Sequence, residues 1–240
     1  MFVSLRKPIP WLQLGSACLL CGASIDLTSV CHDCEAELPW LTQQCSVCAL
    51  PLPTHGLPCG ACLKRPPTFE RVIAAWRYGF PVDTLISRFK HQSRWPYGRM
   101  MADQLARHVR HEFEEGLPRP AVLLPVPLST ERLRVRGFNQ SELIAAHLAK
   151  ALSIPIRGQW LGRTRDTPAQ QDLDAAARRR NLRDSFTLSP QAQVQGQHIA
   201  LIDDVLTTGS TAETLARLLC RAGATRVDVY CLARTPKPGD

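Results

Sequence analysis

Two adjacent aspartates, Asp203 and Asp204, follow a short apolar run in the segment 198-HIALIDDV-205, which has the pattern of a buried strand. The loop 207-TTGST-211 comes next and leads into an amphipathic helix pattern at 211–222. Backbone N–H groups at such a turn favour a phosphate group, and paired carboxylates can accept hydrogen bonds from vicinal hydroxyls. The pattern therefore predicts a site for a sugar 5-phosphate at the end of this strand. The alternative is that the two acids only cap a turn.

Eight of the ten cysteines form four C-x-x-C pairs within residues 18–62. Two such pairs make one tetrahedral thiolate site, so the pattern predicts two structural zinc ions. Sequential pairing of the four motifs is the simplest arrangement, and an interleaved pairing stays open. The alternative, a disulfide framework, would need an oxidising compartment. The eight predicted ligands are Cys18, Cys21, Cys31, Cys34, Cys45, Cys48, Cys59 and Cys62.

The net charge of +8 is distributed unevenly along the 240 residues. Residues 1–67 carry four basic and four acidic side chains, so the whole excess belongs to residues 68–240. A basic domain suits anionic partners such as phosphorylated small molecules or nucleic acid. Prolines interrupt the apolar run at the N-terminus, and no stretch approaches the length of a membrane span. We therefore expect a cytoplasmic protein.

The order of the elements predicts two domains and an α/β architecture. The proline-containing run 64-KRPPTF-69 ends the cysteine pattern, which predicts a zinc module at 1–67 and a second domain at 68–240. A strand, a helix and a last strand at 226–233 form a βαβ unit, whose crossover makes the sheet parallel. Earlier segments predict strands at 71–79 and 121–127, and helices at 82–92, 98–115 and 139–153.

Several segments of the sequence resemble those of a known family. LIDDVLTTGST is similar to the phosphoribosyl-pyrophosphate (PRPP) signature of type I phosphoribosyltransferases. PVPLSTERLRVRGFNQSELIA, RTRDTPAQQDLDAAARRRNLRDSF and the eight-cysteine N-terminus resemble the ComF family, also called GntX. The resemblance covers nearly the whole chain. It implies a type I phosphoribosyltransferase-like parallel sheet with flanking helices, preceded by a small zinc-ribbon module with two four-cysteine sites.

The resemblance also implies roles for individual residues. Asp203 and Asp204 would hold the ribose hydroxyls as catalytic residues, Mg²⁺ would accompany PRPP, and residues 163–183 would form a lid over the site. Lys90 matches a basic position of the family, although an exposed helix charge is an equally good interpretation. Arg134 and Arg165 are further candidates for contacts with pyrophosphate. The substrate-binding candidates are Val205, Thr207, Thr208, Gly209, Ser210, Thr211, Pro125, Val126, Pro127, Arg136 and Arg163.

Two functional hypotheses remain open at this stage. The first is an enzyme that transfers phosphoribosyl from PRPP to an amine or base and releases pyrophosphate. The second is a non-catalytic module that binds PRPP or a nucleotide and acts on single-stranded DNA, or with a DNA-processing protein, during natural competence. Basic stretches at 88–99 and 132–136, with Trp95 and Tyr97 as stacking candidates, favour the second hypothesis. Nothing in the sequence identifies an acceptor.

Overall fold

A computed structural model describes residues 16–25, 29–54, 56–92, 94–163 and 185–237. The chain divides into two compact units, Met1–Leu38 and Pro39–Asp240. Of the predicted lid at 163–183, only Arg163 lies within the described residues, and Arg165 lies outside them. The predicted boundary between residues 67 and 68 stays a prediction. Among the described helices, none is long and apolar enough to cross a membrane.

The first unit contains a short antiparallel pair and one helical turn. Strands β1 (Ser16–Ala17) and β2 (Ser24–Ile25) pair with each other, and α1 covers His32–Ala36. Gly22, in the turn between the two strands, has a φ of 78°, a conformation that glycine adopts without strain. These elements hold the first two C-x-x-C motifs.

A four-stranded parallel sheet forms the centre of the second unit, in the order β3-β8-β7-β4. Its strands are β3 (Arg71–Arg77), β4 (Val122–Pro125), β7 (His198–Leu206) and β8 (Arg226–Arg234). Almost every residue of these strands is buried, as expected for a parallel sheet covered on both faces. The predicted α/β class with a parallel sheet is confirmed.

Helices connect and cover these strands. The described helices of this unit are α2 (Gly60–Lys64), α3 (Val82–Gln92), α4 (Trp95–Glu114), α5 (Thr130–Arg136), α6 (Gln140–Leu152) and α7 (Ser210–Arg221). A small antiparallel pair, β5 (Leu161–Arg163) and β6 (Phe186–Leu188), lies outside the main sheet. Helix α4 begins at Trp95 rather than near 98, because Pro96 is tolerated in the first turn of a helix.

The two faces of the sheet are covered differently. Helices α4 and α6 pack against the strands and each other, and Phe113 of α4 meets Tyr230 of β8 edge-on at 6.5 Å. Alternate residues of the strands point the other way, because side chains alternate along a strand. On that face, Leu215 and Leu219 of α7 share one apolar cluster with Leu41 and Ala49. The segment that carries the second pair of C-x-x-C motifs therefore helps α7 to cover the sheet.

Candidate functional site

The adjacent acids lie in the C-terminal half of β7 and have different surroundings. Asp203 Oδ1 accepts hydrogen bonds from Ser141 Oγ (3.1 Å) and from the Asp204 N–H (2.9 Å). Asp204 is 5% exposed, and its Oδ2 lies 2.5 Å from Lys90 Nζ. Burial, reinforced by the charge of Asp204, raises the pKa of Asp203 to about 7. The pair therefore carries less than two full negative charges near neutral pH until a ligand supplies partners for it.

Four cationic side chains line the cavity in front of these acids. The cavity has a volume of about 330 Å³, and its cations are Lys90, Arg132, Arg136 and Arg163. Arg136 donates to Gln140 Oε1 (2.9 Å), and the Arg163 guanidinium lies 5.3 Å from the centre of the Phe186 ring. Burial lowers the pKa of Arg136, although the nearby Asp204 opposes this change. Two acids facing four cations suit a ligand that has both hydroxyl groups and several phosphate oxygens.

The loop after β7 turns directly into the N-terminus of α7. Gly209 is the N-cap of this helix and has a φ of 76°, which would strain any residue with a Cβ. Thr208 Oγ1 accepts from the Ser210 N–H (3.3 Å), and the hydroxyls of Thr208 and Ser210 lie 2.8 Å apart. The first N–H groups of a helix have no carbonyl partner within the helix, so the turn offers N–H and hydroxyl donors to an anion.

The structure brings most, but not all, of the predicted residues into this cavity. Arg134 is exposed and does not line it, and Pro125, the last residue of β4, lines a separate small pocket beside Gly158. Thr208, Gly209 and Ser210 line a larger groove on the other side of the loop. The predicted residues that do line the cavity are Asp203, Asp204, Val205, Thr207, Thr211, Val126, Pro127, Arg136 and Arg163.

The sequence patterns do not predict a place in the cavity for Arg132, and they leave the role of Lys90 open. Arg132 and Arg136 are four residues apart on α5, so they share one helix face, whereas Arg134 points elsewhere. The signal was present: Ser129 caps the helix by accepting from the Arg132 N–H, and Gly137 ends it with a φ of 77°. For Lys90, half-buried against Asp204, nothing in the local sequence indicates its partner.

The cysteines form two tetrads, and the sequential pairing is confirmed. In each tetrad the four sulfur atoms lie within 4.8 Å of one another. Cys21 Sγ lies 3.7 Å from Cys31 Sγ, and Cys48 Sγ lies 3.8 Å from Cys59 Sγ. Tetrahedral Zn–S bonds of about 2.3 Å require a sulfur separation of about 3.8 Å. The first tetrad is Cys18, Cys21, Cys31 and Cys34, and the second tetrad is Cys45, Cys48, Cys59 and Cys62.

The electrostatics of the thiols also fit a divalent cation. Burial disfavours the thiolate of Cys45, but N–H groups of Cys48, Cys59 and Val47 outweigh it and lower its pKa to about 7. In Cys62, burial and the charge of neighbouring cysteines raise the pKa instead. Four sulfurs this close cannot all ionise without a cation between them, and Zn²⁺ supplies that charge. Both tetrads are zinc-binding sites.

A second, larger depression runs along α7 on the other side of the loop at 207–211. This groove has a volume of about 1050 Å³ and lies between α7 and the second tetrad. Arg65, Arg221 and Lys237 are exposed on its rim. The carboxylate of Glu213 is already engaged by Thr68 and Arg217, so it offsets little of the remaining positive charge. The groove therefore has the electrostatic character of an anion-binding surface.

Sequence profiles identify the class of protein that this fold and site define. A profile described as "Phosphoribosyl transferase domain" matches residues 139–239, and one described as "Double zinc ribbon domain" matches residues 12–63. One similar solved structure is glutamine PRPP amidotransferase from B. subtilis, with 22% identity and a TM-score of 0.36 over 56% of this chain and 25% of that chain. The class is a phosphoribosyltransferase-like protein with an N-terminal double zinc ribbon.

Relatives that match nearly the whole chain identify the family within this class. The "DNA utilization protein YhgH" of Salmonella typhi is 37% identical over 93% of this chain and 99% of its own length. "Competence protein F" of Haemophilus influenzae is 32% identical over 90% of this chain and 96% of its own length. The chain belongs to the ComF family, as the motif resemblance predicted.

Proposed function

We propose that this protein binds PRPP, or a closely related ribose 5-phosphate, in the cavity at the end of β7. The observation that carries the proposal is the direct succession of two acids and a helix N-terminus at one edge of a parallel sheet. In this pose Asp203 and Asp204 accept hydrogen bonds from the ribose hydroxyls. Thr207 and Thr211, the residues of the turn that line this cavity, bind the 5-phosphate through their hydroxyl and N–H groups.

The cations of the cavity suit the other end of the same ligand. A pyrophosphate group needs several positive partners, and Lys90, Arg132, Arg136 and Arg163 line the same cavity as the acids. Mg²⁺ would enter as the partner of the pyrophosphate oxygens, with the two carboxylates as further oxygen donors of the kind it prefers. When bound, the ion would stabilise the negative charge on the departing pyrophosphate.

The reaction that fits this pose is transfer of the phosphoribosyl group to an amine or base. A bond forms from the acceptor nitrogen to C1 of the ribose, the bond from C1 to the pyrophosphate oxygen breaks, and a proton leaves the nitrogen. Positive charge develops on the ribose ring in the transition state, and the carboxylates of Asp203 and Asp204 stabilise it. The acceptor is unassigned in this proposal.

A binding titration followed by an acceptor screen tests the proposal. We expect calorimetry to detect saturable binding of Mg-PRPP to the zinc-loaded protein and at least tenfold weaker binding to Asp204→Asn, about 1.4 kcal/mol. Asp103→Asn is the matched control, because this half-exposed aspartate pairs with His147 between α4 and α6. Pyrophosphate release is then screened with bases and amines. Absence of PRPP binding by the folded wild-type protein would refute the proposal.

A second candidate function is the handling of single-stranded DNA, with or without catalysis. The names "DNA utilization protein" and "Competence protein F" belong to relatives that match almost the full chain. The basic groove along α7 supports extending such a role to this protein, because its exposed cations can follow a phosphate backbone. The sequence had favoured the stretches at 88–99 and 132–136 instead.

Salt titrations separate these two surfaces. Binding of a labelled oligothymidylate is measured at several salt concentrations, and each phosphate contact contributes a slope of about −0.7 for a single strand. If the groove binds DNA, Arg65→Gln with Arg221→Gln reduces the slope by about 1.4, and Arg134→Gln does not. Arg110→Gln, at an exposed position of α4, is the control. An unchanged slope in the double variant would exclude the groove.

A further inference from the structure

Arg234, the last residue of β8, has an environment that neither the zinc sites nor the proposed ligand site explains alone. It is 6% exposed, and within the described part of the chain no carboxylate pairs with it. Burying a guanidinium without an anionic partner costs several kcal/mol. Hydrogen bonds from the guanidinium to main-chain carbonyls offset part of this cost. The positions of those carbonyls in the fold indicate what the arginine does.

The guanidinium connects two regions that are far apart in the sequence. Arg234 Nε donates to the carbonyl of Cys48 (3.0 Å), a ligand of the second tetrad. Its Nη1 donates to the carbonyls of Leu206 (3.1 Å) and Thr207, at the start of the loop after β7. The planar guanidinium therefore fixes the distance between the C-x-x-C segment at 45–48 and the loop at 207–211, which is called the phosphate loop below.

The surrounding backbone strengthens this connection. The N–H of Thr235 donates to the carbonyl of Leu206 (3.1 Å), and the N–H of Val72 donates to the carbonyl of Val47 (2.8 Å), within the second tetrad's first knuckle. Val47 and Cys48 also pack against the apolar cluster that includes Leu206 and Ala212. The knuckle, the sheet and the base of the loop are thus parts of one packed region.

We propose that Arg234 is a positioning residue that anchors the phosphate loop to the second zinc tetrad, so that zinc occupancy and phosphate binding are coupled. The coupling to PRPP rests on the function proposed above, whereas the anchoring of the loop does not. Because no carboxylate of the described residues pairs with Arg234, its buried positive charge also favours an anion bound at the loop, since solvent screens it little. By linkage, a ligand that stabilises the loop must also stabilise the zinc site.

Hydrogen exchange tests the anchoring without any ligand. Arg234→Lys keeps the charge but cannot span the carbonyls of Cys48 and Thr207, because an ammonium is a point donor. We expect the amides of residues 206–210 to exchange about tenfold faster in this variant. Arg226→Lys, at the other end of the same strand and paired with Asp228, is the matched control and leaves those amides unchanged. Unchanged exchange in a folded Arg234→Lys protein would overturn the proposal.

Zinc release tests the coupling in the wild-type protein. With a colorimetric chelator, two release phases are expected, one for each tetrad, and Mg-PRPP slows only one of them. In Arg234→Lys this protection is lost, and the Kd for Mg-PRPP rises about tenfold with both zinc ions still bound. A purely structural arginine would lower the melting temperature without abolishing the protection. Equal protection of wild type and variant would contradict the coupling.

The outcomes distinguish the failure of this inference from the failure of the proposed function. If the wild-type protein does not bind Mg-PRPP, the proposed function fails, and loop exchange alone decides the role of Arg234. If Arg234→Lys does not fold, stripping the second zinc ion from the wild-type protein replaces it as the perturbation. A larger increase in exchange at 206–210 than at the buried amides of β4 then supports the anchor, and an equal change in both refutes it.

Discussion

The two cysteine tetrads bind the same metal with two C-x-x-C pairs each, yet their surroundings differ. In the first tetrad only Cys18 is buried, and Cys21 is exposed. In the second tetrad Cys45, Cys59 and Cys62 are all buried, and neighbouring residues belong to the apolar cluster on the sheet. The first site therefore organises its own short unit, whereas the second site is built into the core of the larger one.

The burial of the second tetrad indicates that a zinc ribbon can cover part of a sheet face in place of a helix. On one face of the sheet, α4 and α6 cover the strands. On the other face, α7 and apolar residues within 41–49 cover them together. A segment of this length has too few apolar residues to fold by burial alone, so the metal supplies the missing stability. We infer that the second zinc ion stabilises the sheet itself and that the first does not.

The largest expected effect comes from removing one buried ligand of each tetrad. Cys45 and Cys18 are matched, because each accepts an N–H bond from the third cysteine of its own tetrad, at 3.1 Å and 3.3 Å. Each serine variant should lose about one zinc ion per chain by elemental analysis. We expect Cys45→Ser to lower the melting temperature of the main unit by about 10 °C or more.

Cys18→Ser is the control for that prediction. It should leave the main transition within about 2 °C of the wild type, since the first tetrad belongs to the other unit. Equal losses of melting temperature in both variants would show that the two tetrads stabilise the protein in the same way, and the comparison would fail.

Local sequence patterns predicted the parts of the fold that are long and periodic. The helix predicted at 82–92 matches α3 to the residue, and the βαβ unit of β7, α7 and β8 is also confirmed. Helix α5 and the β5–β6 pair were missed, because seven and three residues are too few to show a period. That omission had a functional consequence, since α5 carries Arg132.

Some residues of the candidate site could likewise be predicted from local sequence, and others could not. Asp203, Asp204 and the loop at 207–211 are adjacent in the sequence, so their chemistry could be predicted from local order. Lys90 and Arg234 act through tertiary contacts, with Asp204 and with Cys48, and no local pattern specifies such a partner. The packing of the second tetrad against the sheet was equally beyond prediction, because cysteine spacing specifies the metal and not its neighbours.

The stability of the larger unit should depend on pH, because burial raises the pKa of Asp203 in this unit. The raised pKa of Asp203 means that the folded state holds a proton that the unfolded state releases between about pH 4 and pH 7. This effect makes the wild type lose stability as pH rises through that window. Asp203→Asn removes it, since the amide oxygen can still accept from Ser141 and the Asp204 N–H.

The measurement is thermal unfolding of the main unit at pH 5 and pH 8. We expect Asp203→Asn to gain stability relative to the wild type at pH 8, on the order of 4 kcal/mol, with a gain of about half that size or less at pH 5. The same variant should lose Mg-PRPP binding. A difference between variant and wild type that does not change with pH would mean that Asp203 is ionised throughout.

The smallest expected effect concerns the segment that leads from the second tetrad to β3. Glu213 of α7 accepts from Thr68 N (2.7 Å), Thr68 Oγ1 (3.0 Å) and Arg217 Nε (2.6 Å). Glu213→Gln weakens these charge-assisted bonds and should cost about 1.5 kcal/mol of unfolding free energy, measured by urea denaturation. It should also speed release of the second zinc ion severalfold, because the bonds from Thr68 to Glu213 tie the segment that follows the ligand Cys62 to α7.

The control for this prediction is another acid–arginine pair of similar exposure. Glu112 of α4 accepts from Arg71 at 2.9 Å, on the opposite side of the sheet from the zinc segment. Glu112→Gln should lower stability by about 1 kcal/mol or less and leave both zinc-release phases unchanged. If Glu213→Gln also leaves zinc release unchanged, the second tetrad is held by the apolar cluster and Arg234 rather than by this polar contact. The difference in stability between the two tetrads would then come from the apolar core alone.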